Sequence, residues 1–332
     1  MHRFQYKAYR RSFAGTFANA RESFAKREGL MIRLEDRDGR VGFGEVAPIV
    51  SFGSESFASA FSVAESLGEQ VAFERVLPEL AGYPCLRWAC ESALDMIARE
   101  GVWEELEKPW PICGLVADLG DLASVEEKLG MHYQCLKFKI GKKSLIEELK
   151  ALDRVIELSE GKVQIRLDAN GTLDMRTAIG WLERVAGLPV EFIEQPLPVG
   201  AEVEMRRLSA DFPTLLALDE SVDSVDDLKR WRDQQWPGLY VIKPSLSGSL
   251  LALGEELSGG AGDCVFSSSL ETKIGESNAI GFAIRQSGHG RALGFGVERL
   301  FADRNVGLEL GPFLQKGGLA SSDDLESLWN LT

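Results

Sequence analysis

Charged residues recur at nearly equal intervals in the second half of the chain, each at the end of a short apolar run. Three are carboxylates, Asp168 in VQIRLDAN, Glu194 in EFIEQPL and Asp219 in LLALDES, and Lys139 and Lys243 extend the series on either side. An interval of about 25 residues accommodates one strand, one helix and two loops. The repetition therefore predicts successive parallel strands with a charged residue at the same end of each.

From about residue 112 onward, apolar runs of strand length alternate with helical patterns. This alternation predicts an α/β fold whose strands close into a (β/α)8-type barrel. Ser144 followed by Glu147 is a capping-box signal, and Asp174 and Ser224 are placed to cap later helices. Active sites of such barrels lie at the carboxyl ends of the strands. The predicted strands are Ile112–Ala117, Cys135–Ile140, Val163–Asp168, Glu191–Glu194, Leu215–Asp219, Leu239–Lys243, Cys264–Ser267 and Ala292–Phe295.

The first hundred residues have a different, α+β pattern. MIRLEDRDGRVGFGEV alternates around a turn signal at Asp38–Gly39, which predicts a hairpin, and helical stretches follow over about Phe57–Val71 and Leu86–Glu100. The final stretch continues after the eighth strand. The predicted organisation is an α+β capping domain over 1–105, the barrel over 106–305, and a C-terminal tail over 306–332 that packs on the capping domain.

Composition narrows the class of partners. The chain has 332 residues, of which 45% are apolar and 27% charged, and its net charge of −14 argues against a nucleic-acid or anionic membrane surface. No apolar span is long enough for a transmembrane helix, and we expect no signal peptide. The five cysteines are scattered, without a CxxC pair, which argues against a disulfide framework or a zinc site. A reducing cytoplasm is the expected compartment.

The three carboxylates predict a metal site. Asp168, Glu194 and Asp219 would repel one another in a pocket of low dielectric unless a cation lay between them. Oxygen ligands favour a hard ion, and Mg²⁺ is the prediction, with Mn²⁺ as an alternative. Residues two apart on a strand share a face, so Arg166 and Asn170 should flank the first carboxylate.

The lysines predict proton transfer. Removing a proton next to a carboxylate accumulates charge that a divalent cation can stabilise. A lysine acts as a base only when neutral, and the ammonium of Lys137 would lower the pKa of Lys139 by repulsion between like charges. Lys243 would approach from the far side as an acid, as a base on the other face, or as a fixed cation.

Each of these residues also has a structural interpretation on its own. Asp168 could cap a turn, Glu194 could be a loop carboxylate, and single lysines are usually solvated. Solvation does not explain a charged residue that closes one apolar strand after another. Glu220 is a separate case, since alternation should turn it away from Asp219 into a structural role.

Taken together, the motifs resemble those of the enolase superfamily, in its muconate cycloisomerase-like branch. GFGEVAPI and LRWACESALDMIARE resemble its capping-domain sequences, and KFK, RLDAN, IEQPL, LDES and VIKPS resemble its barrel motifs. The resemblance implies that Asp168, Glu194 and Asp219 bind the metal. It also implies that Lys139 and Lys243 are catalytic.

Within this branch, Arg166, the SSSLETKIG segment and the compact length most resemble the o-succinylbenzoate synthase family. The resemblance implies a small-molecule carboxylate substrate, 2-succinyl-6-hydroxy-2,4-cyclohexadiene-1-carboxylate. The reaction implied is its dehydration through an enediolate to o-succinylbenzoate, in menaquinone or phylloquinone biosynthesis. Predicted substrate contacts are Arg166, Asn170, Ser267, Ser268, Ser269 and Gly294.

Other activities stay open. The same branch contains N-acylamino acid racemases, cycloisomerases and dipeptide epimerases, although ALGFGVERLF lacks the late Asp-x-Asp pair of the epimerases. A Schiff-base lyase would use Lys139 or Lys243 but would leave the carboxylates unexplained, and a non-catalytic binding barrel is a third alternative. We expect Arg11–Arg27 and Ser51–Ser54, with Phe13, Phe17 and Phe52, to cover the mouth of the pocket and exclude water.

Overall fold

Two sheets organise the chain, an antiparallel sheet near the N-terminus and a parallel sheet that curls into a barrel. The computed structural model describes residues 1–18, 23–101, 103, 106–287, 290–303 and 306–332. The predicted domain boundaries at 105 and 305 therefore lie outside the described residues. The arrangement confirms the predicted fold class.

The N-terminal elements are β1 His2–Ala18, β2 Ser23–Glu35, β3 Val41–Val46, α1 Phe57–Ser66, β4 Gln70–Val71, α2 Phe73–Val76 and α3 Pro84–Ala98. Their sheet has the strand order β3-β2-β1-β4. The hairpin between β2 and β3 confirms the turn predicted at Asp38–Gly39, with Gly39 at φ +80°. The predicted helix over 57–71 is too long, because Gly68 at φ +71° follows its last turn and the chain then pairs with β1.

Helix α3 lies directly against the backbone of β3. A Cβ atom at Gly42 would lie 2.0 Å from the carbonyl oxygen of Ala93, and one at Gly44 would lie 1.9 Å from that of Ala89. Real side chains do not tolerate such approaches, so the two glycines of the GFGEV motif are required by the packing of the helix on the sheet. This contact fixes the end of β3, from which the chain continues toward the mouth of the barrel.

The eight predicted barrel strands are confirmed, with bounds that differ by one or two residues. Neighbours in sequence are neighbours in the sheet, and the eighth strand returns to pair with the first. One parallel bridge between Ser267 and Gly294 joins the seventh and eighth strands. The strands are β5 Trp110–Val116, β6 Cys135–Lys139, β7 Gln164–Asp168, β8 Val190–Glu194, β9 Leu215–Leu218, β10 Leu239–Ile242, β11 Cys264–Phe266 and β12 Leu293–Gly296.

The barrel helices begin where the sequence predicted their caps. Ser144 and Glu147 form the predicted capping box, and Asp174 and Ser224 each accept a backbone N–H at the start of a helix. Within the described ranges, no helix is both long and apolar enough to cross a bilayer. The helices are α4 Leu122–Gly130, α5 Leu145–Leu158, α6 Met175–Val185, α7 Glu202–Asp211, α8 Val225–Asp233, α9 Leu250–Leu257 and α10 Lys273–Ser287.

The C-terminal residues contact both sheets. Strand β13, Phe313–Leu314, pairs with the start of β5, and helix α11, Ser322–Leu331, lies against the N-terminal sheet. The carbonyl of Trp329 accepts a hydrogen bond from Lys7 at 2.7 Å, and its ring centroid lies 6.5 Å from that of Phe43. These contacts hold the N-terminal sheet against the barrel.

Candidate active site

Five charged side chains converge at the carboxyl ends of β6 to β10. Asp168 and Glu194 are paired neighbours on β7 and β8, and Asp219 and Lys243 directly follow β9 and β10. Lys139 pairs with Asp168 from β6. Since β6 and β10 lie on opposite sides of an eight-stranded barrel, Lys139 and Lys243 approach one pocket from opposite directions.

The KFK lysines on β6 share the first two carboxylates. The ammonium of Lys137 lies 2.8 Å from Asp168 Oδ2 and 2.6 Å from Glu194 Oε1. The ammonium of Lys139 lies 2.7 Å from the same Asp168 oxygen and 2.6 Å from Asn170 Oδ1. Both lysines therefore point into the barrel, as alternation along the strand predicted.

Asp219, the third carboxylate, is paired with a different lysine. Asp219 forms an ion pair with Lys243, whose ammonium also lies 4.2 Å from the ring centroid of Phe52. Gln195 holds this acid in place, because its side-chain oxygen accepts hydrogen bonds from the backbone N–H groups of Asp219 and Ser221 at 3.0 and 3.3 Å. Sequence reasoning missed Gln195, although its position directly after Glu194 in IEQPL was a usable signal.

Burial and charge oppose each other in this cluster. Burial alone would raise the pKa of Asp168, but Lys137 and Lys139 outweigh it and hold that pKa well below its usual range. Burial and the neighbouring Asp168 raise the pKa of Glu194 well above its ordinary value. The carboxylates also outweigh burial at Lys137 and raise its pKa, so this side chain is a firmly held cation.

The donor set suits a divalent cation. Asp168, Glu194 and Asp219 are at most 3% exposed, and the repulsion that raises the pKa of Glu194 includes both other acids. Among the described residues, no three potential ligands already converge as a finished metal site. The ammonium groups of Lys137, Lys139 and Lys243 are bonded to these carboxylates instead. Binding an ion would therefore require these three ammonium groups to withdraw from the carboxylate oxygens that the ion takes.

Glu220 lies beside the cluster. Its carboxylate accepts a hydrogen bond from Asn170 Nδ2 at 3.0 Å, and burial together with Asp219 raises its pKa to about 7. Glu220 was predicted to turn away from Asp219 into a structural role; β9 ends at Leu218, so strand alternation no longer fixes its direction, and it reaches Asn170 at the edge of the site. Glu220 thus orients the amide of Asn170 so that its oxygen faces Lys139.

The lysines and carboxylates described above form the charged floor of the pocket, and apolar residues form its walls. They come from the loop after β3, from β5 and from the segments after β11 and β12. Such walls suit the flat apolar body of a ligand whose acidic group lies against the cations. The apolar lining residues are Ile49, Phe52, Leu115, Leu270, Val297 and Leu300.

Four of the six predicted substrate contacts line the pocket, namely Asn170, Ser267, Ser268 and Gly294. Arg166 does not. It is 1% exposed, its Nε lies 2.7 Å from Glu191 Oε2, and its Nη1 donates to the carbonyl of Ala292. Two residues along a strand correspond to about 6.6 Å of depth, so Arg166 shares a face with Asp168 but lies one layer deeper. The prediction that Arg166 contacts substrate is therefore not supported by its position.

The three serines have different surroundings. Ser268 donates to Glu271 at 2.6 Å and accepts from the N–H of Leu270. Its hydroxyl proton is therefore not available for a hydrogen bond to a ligand. Ser269 is 1% exposed and does not line the pocket, against the prediction. Ser267 lines the pocket, and its hydroxyl makes a longer hydrogen bond of 3.3 Å to the carbonyl of Gly294. Ser267 is thus the serine best placed to donate to a ligand.

The predicted cover of the mouth is present in part. Phe52 lines the pocket, whereas Phe13 is buried against Phe301, with ring centroids 4.8 Å apart. Residues 19–22 of the segment Arg11–Arg27 and the side chain of Phe17 lie outside the described part of the chain.

Comparison with known proteins places the chain in a family. Residues 120–252 match the family described as enolase C-terminal domain-like, and residues 5–96 match the MenC N-terminal domain. The o-succinylbenzoate synthase of Thermosynechococcus vestitus is 32% identical over 90% of this chain and 93% of its own length. The chain belongs to the o-succinylbenzoate synthase family of the enolase superfamily. It is therefore an enzyme, a lyase.

Solved structures agree with this assignment to the o-succinylbenzoate synthase family. The crystal structure of o-succinylbenzoate synthase from Thermosynechococcus elongatus BP-1, complexed with Mg in the active site, matches with a TM-score of 0.84 and 29% identity, over 99% of this chain and 100% of that one. A more distant relative, the L-Ala-D/L-Glu epimerase of Bacillus subtilis, is 23% identical over 80% of each chain. Family membership and the fold are thus established together.

Proposed function

We propose that this enzyme dehydrates 2-succinyl-6-hydroxy-2,4-cyclohexadiene-1-carboxylate to o-succinylbenzoate, with Mg²⁺, in menaquinone or phylloquinone biosynthesis. The observation that carries the proposal is the pair Lys139 and Lys243 on opposite sides of a pocket with an acidic floor and apolar walls. The named activity of the family supports the substrate. The five cysteines, all described as free thiols, support a cytoplasmic location.

Asp168, Glu194 and Asp219 would hold the ion, with Mn²⁺ as an alternative to Mg²⁺. When bound, the ion supplies positive charge for the carboxylate oxygens of the substrate. The crystal structure of the relative complexed with Mg supports this choice of ion. Lys137 would give up its bonds to Asp168 and Glu194, Lys139 its bond to Asp168, and Lys243 its bond to Asp219.

The chain's own residues account for the proton transfers. In the neutral form, Lys139 Nζ takes the proton from the ring carbon next to the carboxylate, held toward the pocket by its hydrogen bond to Asn170. The bond from the ring to the hydroxyl group then breaks. Lys139 gives the proton to the departing hydroxide, which leaves as water. Lys243 contributes a fixed cation on the opposite side. The ring becomes aromatic, with one water lost overall.

The test is turnover of the cyclohexadiene by the purified protein with Mg²⁺, followed as loss of diene absorbance and confirmed by mass of the product. A chelator should abolish the activity, and added Mg²⁺ should restore it. Absence of conversion by the metal-loaded wild-type protein would refute the proposed function. Borohydride trapping with substrate serves as a control, since covalent capture of Lys139 or Lys243 would indicate Schiff-base chemistry instead.

A second candidate is racemisation or epimerisation of an N-acylamino acid or dipeptide. Two lysines on opposite sides of the pocket are what proton exchange at one carbon requires, and the B. subtilis epimerase is a relative. Against dipeptides, the late barrel segment ALGFGVERLF carries no Asp-x-Asp pair. Deuterium exchange at the α-carbon of these substrates, without conversion of the cyclohexadiene, would favour this candidate.

A further inference from the structure

Arg27 connects the N-terminal sheet to the wall of the pocket. It lies on β2, is 3% exposed, and its described hydrogen bonds all go to backbone carbonyls. Two of these belong to Ala47 and Pro48, in the loop after β3. The other two belong to Ser269 at 2.9 Å and Leu270 at 3.4 Å, in the segment after β11.

Both segments bound by Arg27 supply apolar walls of the pocket. Ala47 and Pro48 lead directly into Ile49 and on to Phe52, which line the pocket from the capping side. Leu270 lines it from the barrel side. One guanidinium therefore sets the separation of two walls that belong to different parts of the fold.

The conformation of Leu270 shows why this segment needs support. Leu270 has φ +65°, in the left-handed region that a leucine rarely adopts. Such a conformation persists only where the surroundings hold it. Here Arg27 binds the Leu270 carbonyl, and Ser268 Oγ accepts its N–H at 2.8 Å. The side chain of Leu270 is thereby turned into the pocket.

An arginine suits this position better than a lysine. Four carbonyls in two directions match the planar fork of a guanidinium, which has five N–H donors in fixed geometry. A lysine ammonium has three donors on a flexible stem and cannot span both loops equally well. Burying a charge is costly unless its hydrogen bonds are complete. The hydrogen bonds to the four carbonyls therefore offset the cost of burying the Arg27 guanidinium.

We propose that Arg27 is a positioning residue that fixes the apolar walls of the pocket across the boundary between cap and barrel, and so determines how well substrate binds. The proposal rests on the proposed function only for the choice of substrate. Arg27 touches none of the lysines or carboxylates of the floor through its described hydrogen bonds. Its loss should therefore weaken binding more than chemistry.

The kinetic test compares Arg27→Met and Arg27→Lys with a matched control, Arg33→Met. Arg33 lies on the same strand, but its partners are the side chains of Gln5, Glu35 and Glu326, remote from the pocket. We expect Arg27→Met to raise KM on the order of tenfold with kcat within about threefold of wild type, the pattern of lost uniform binding. The KM of Arg27→Lys should lie between those of wild type and Arg27→Met. Arg33→Met should leave both KM and kcat unchanged.

A second measurement needs no substrate. Hydrogen exchange of the backbone should accelerate in Arg27→Met at residues 47–53 and 267–272, and remain as in wild type on the far barrel strands. If the methionine variant does not fold, Arg27→Lys carries both measurements. Unchanged KM together with unchanged exchange in a folded variant would overturn the proposal. Failure of the proposed function is distinct, because it leaves the wild type inactive while the exchange result still tests Arg27.

Discussion

Replacing Asn170 with glycine separates two roles for this residue. The sequence predicted Asn170 as a substrate contact, and it does line the pocket. The structure also shows its side-chain oxygen 2.6 Å from Lys139 Nζ and its nitrogen 3.0 Å from Glu220. If Asn170 mainly holds the base, its loss should reduce kcat. If it mainly holds substrate, its loss should raise KM.

The choice of glycine follows from the backbone. Asn170 has φ +46°, a left-handed conformation that asparagine tolerates and glycine adopts freely. Asn170→Gly therefore removes the amide without the strain that alanine would add. A hydrogen bond to a charged group is worth about 1.5 to 3 kcal/mol. A loss of that size in the transition state corresponds to roughly a 10- to 150-fold fall in kcat.

The assay is steady-state conversion of the cyclohexadiene at saturating Mg²⁺, with kcat and KM resolved. We expect Asn170→Gly to lower kcat in that range and to change KM by less than about threefold. Asn170→Ala should lose the same activity and additional thermal stability, which checks the argument from φ. A raised KM with unchanged kcat in Asn170→Gly would refute the positioning role.

Two further predictions concern stability. Gly44→Ala should destabilise the fold by about 3 kcal/mol, because the new Cβ would meet a backbone oxygen of α3 at 1.9 Å; Gly15→Ala, which meets nothing within 4 Å, should cost far less in the same denaturant titration. Burial raises the pKa of Glu276 well above its ordinary 4.5, so the folded state keeps a proton that the unfolded state releases, and stability is lost as pH rises through the folded pKa. Glu276→Gln keeps an acceptor for the N–H of Leu308, so its unfolding free energy should fall less than that of wild type as the pH rises above the ordinary glutamate pKa of 4.5. An equal fall in the unfolding free energy of the two proteins over the same rise in pH would contradict this prediction.

The sequence predicted the barrel and its charged floor because both depend on local order along the chain. An apolar run buried in a barrel must end where the chain leaves it, so Asp168, Glu194 and Asp219 mark strand ends within a residue. The helix caps at Ser144, Asp174 and Ser224 were readable for the same reason.

Depth within the barrel and contacts across the fold could not be predicted in this way. Alternation assigns Arg166 to the inner face but not to a layer, and its pairing with Glu191 depends on the register of β7 with β8. Strand β1 was missed because its partner strands are set by tertiary pairing. The contact between Arg27 and the segment after β11 joins residues more than 240 positions apart, which no local pattern reveals.

The most direct test of the catalytic site is the rate of product formation by Lys139→Ala at saturating Mg²⁺. Removal of a general base costs about 10²- to 10⁴-fold, so we expect a loss in that range while the variant still binds Mg²⁺. Turnover at the wild-type rate by Lys139→Ala would contradict the assignment of proton abstraction to this lysine.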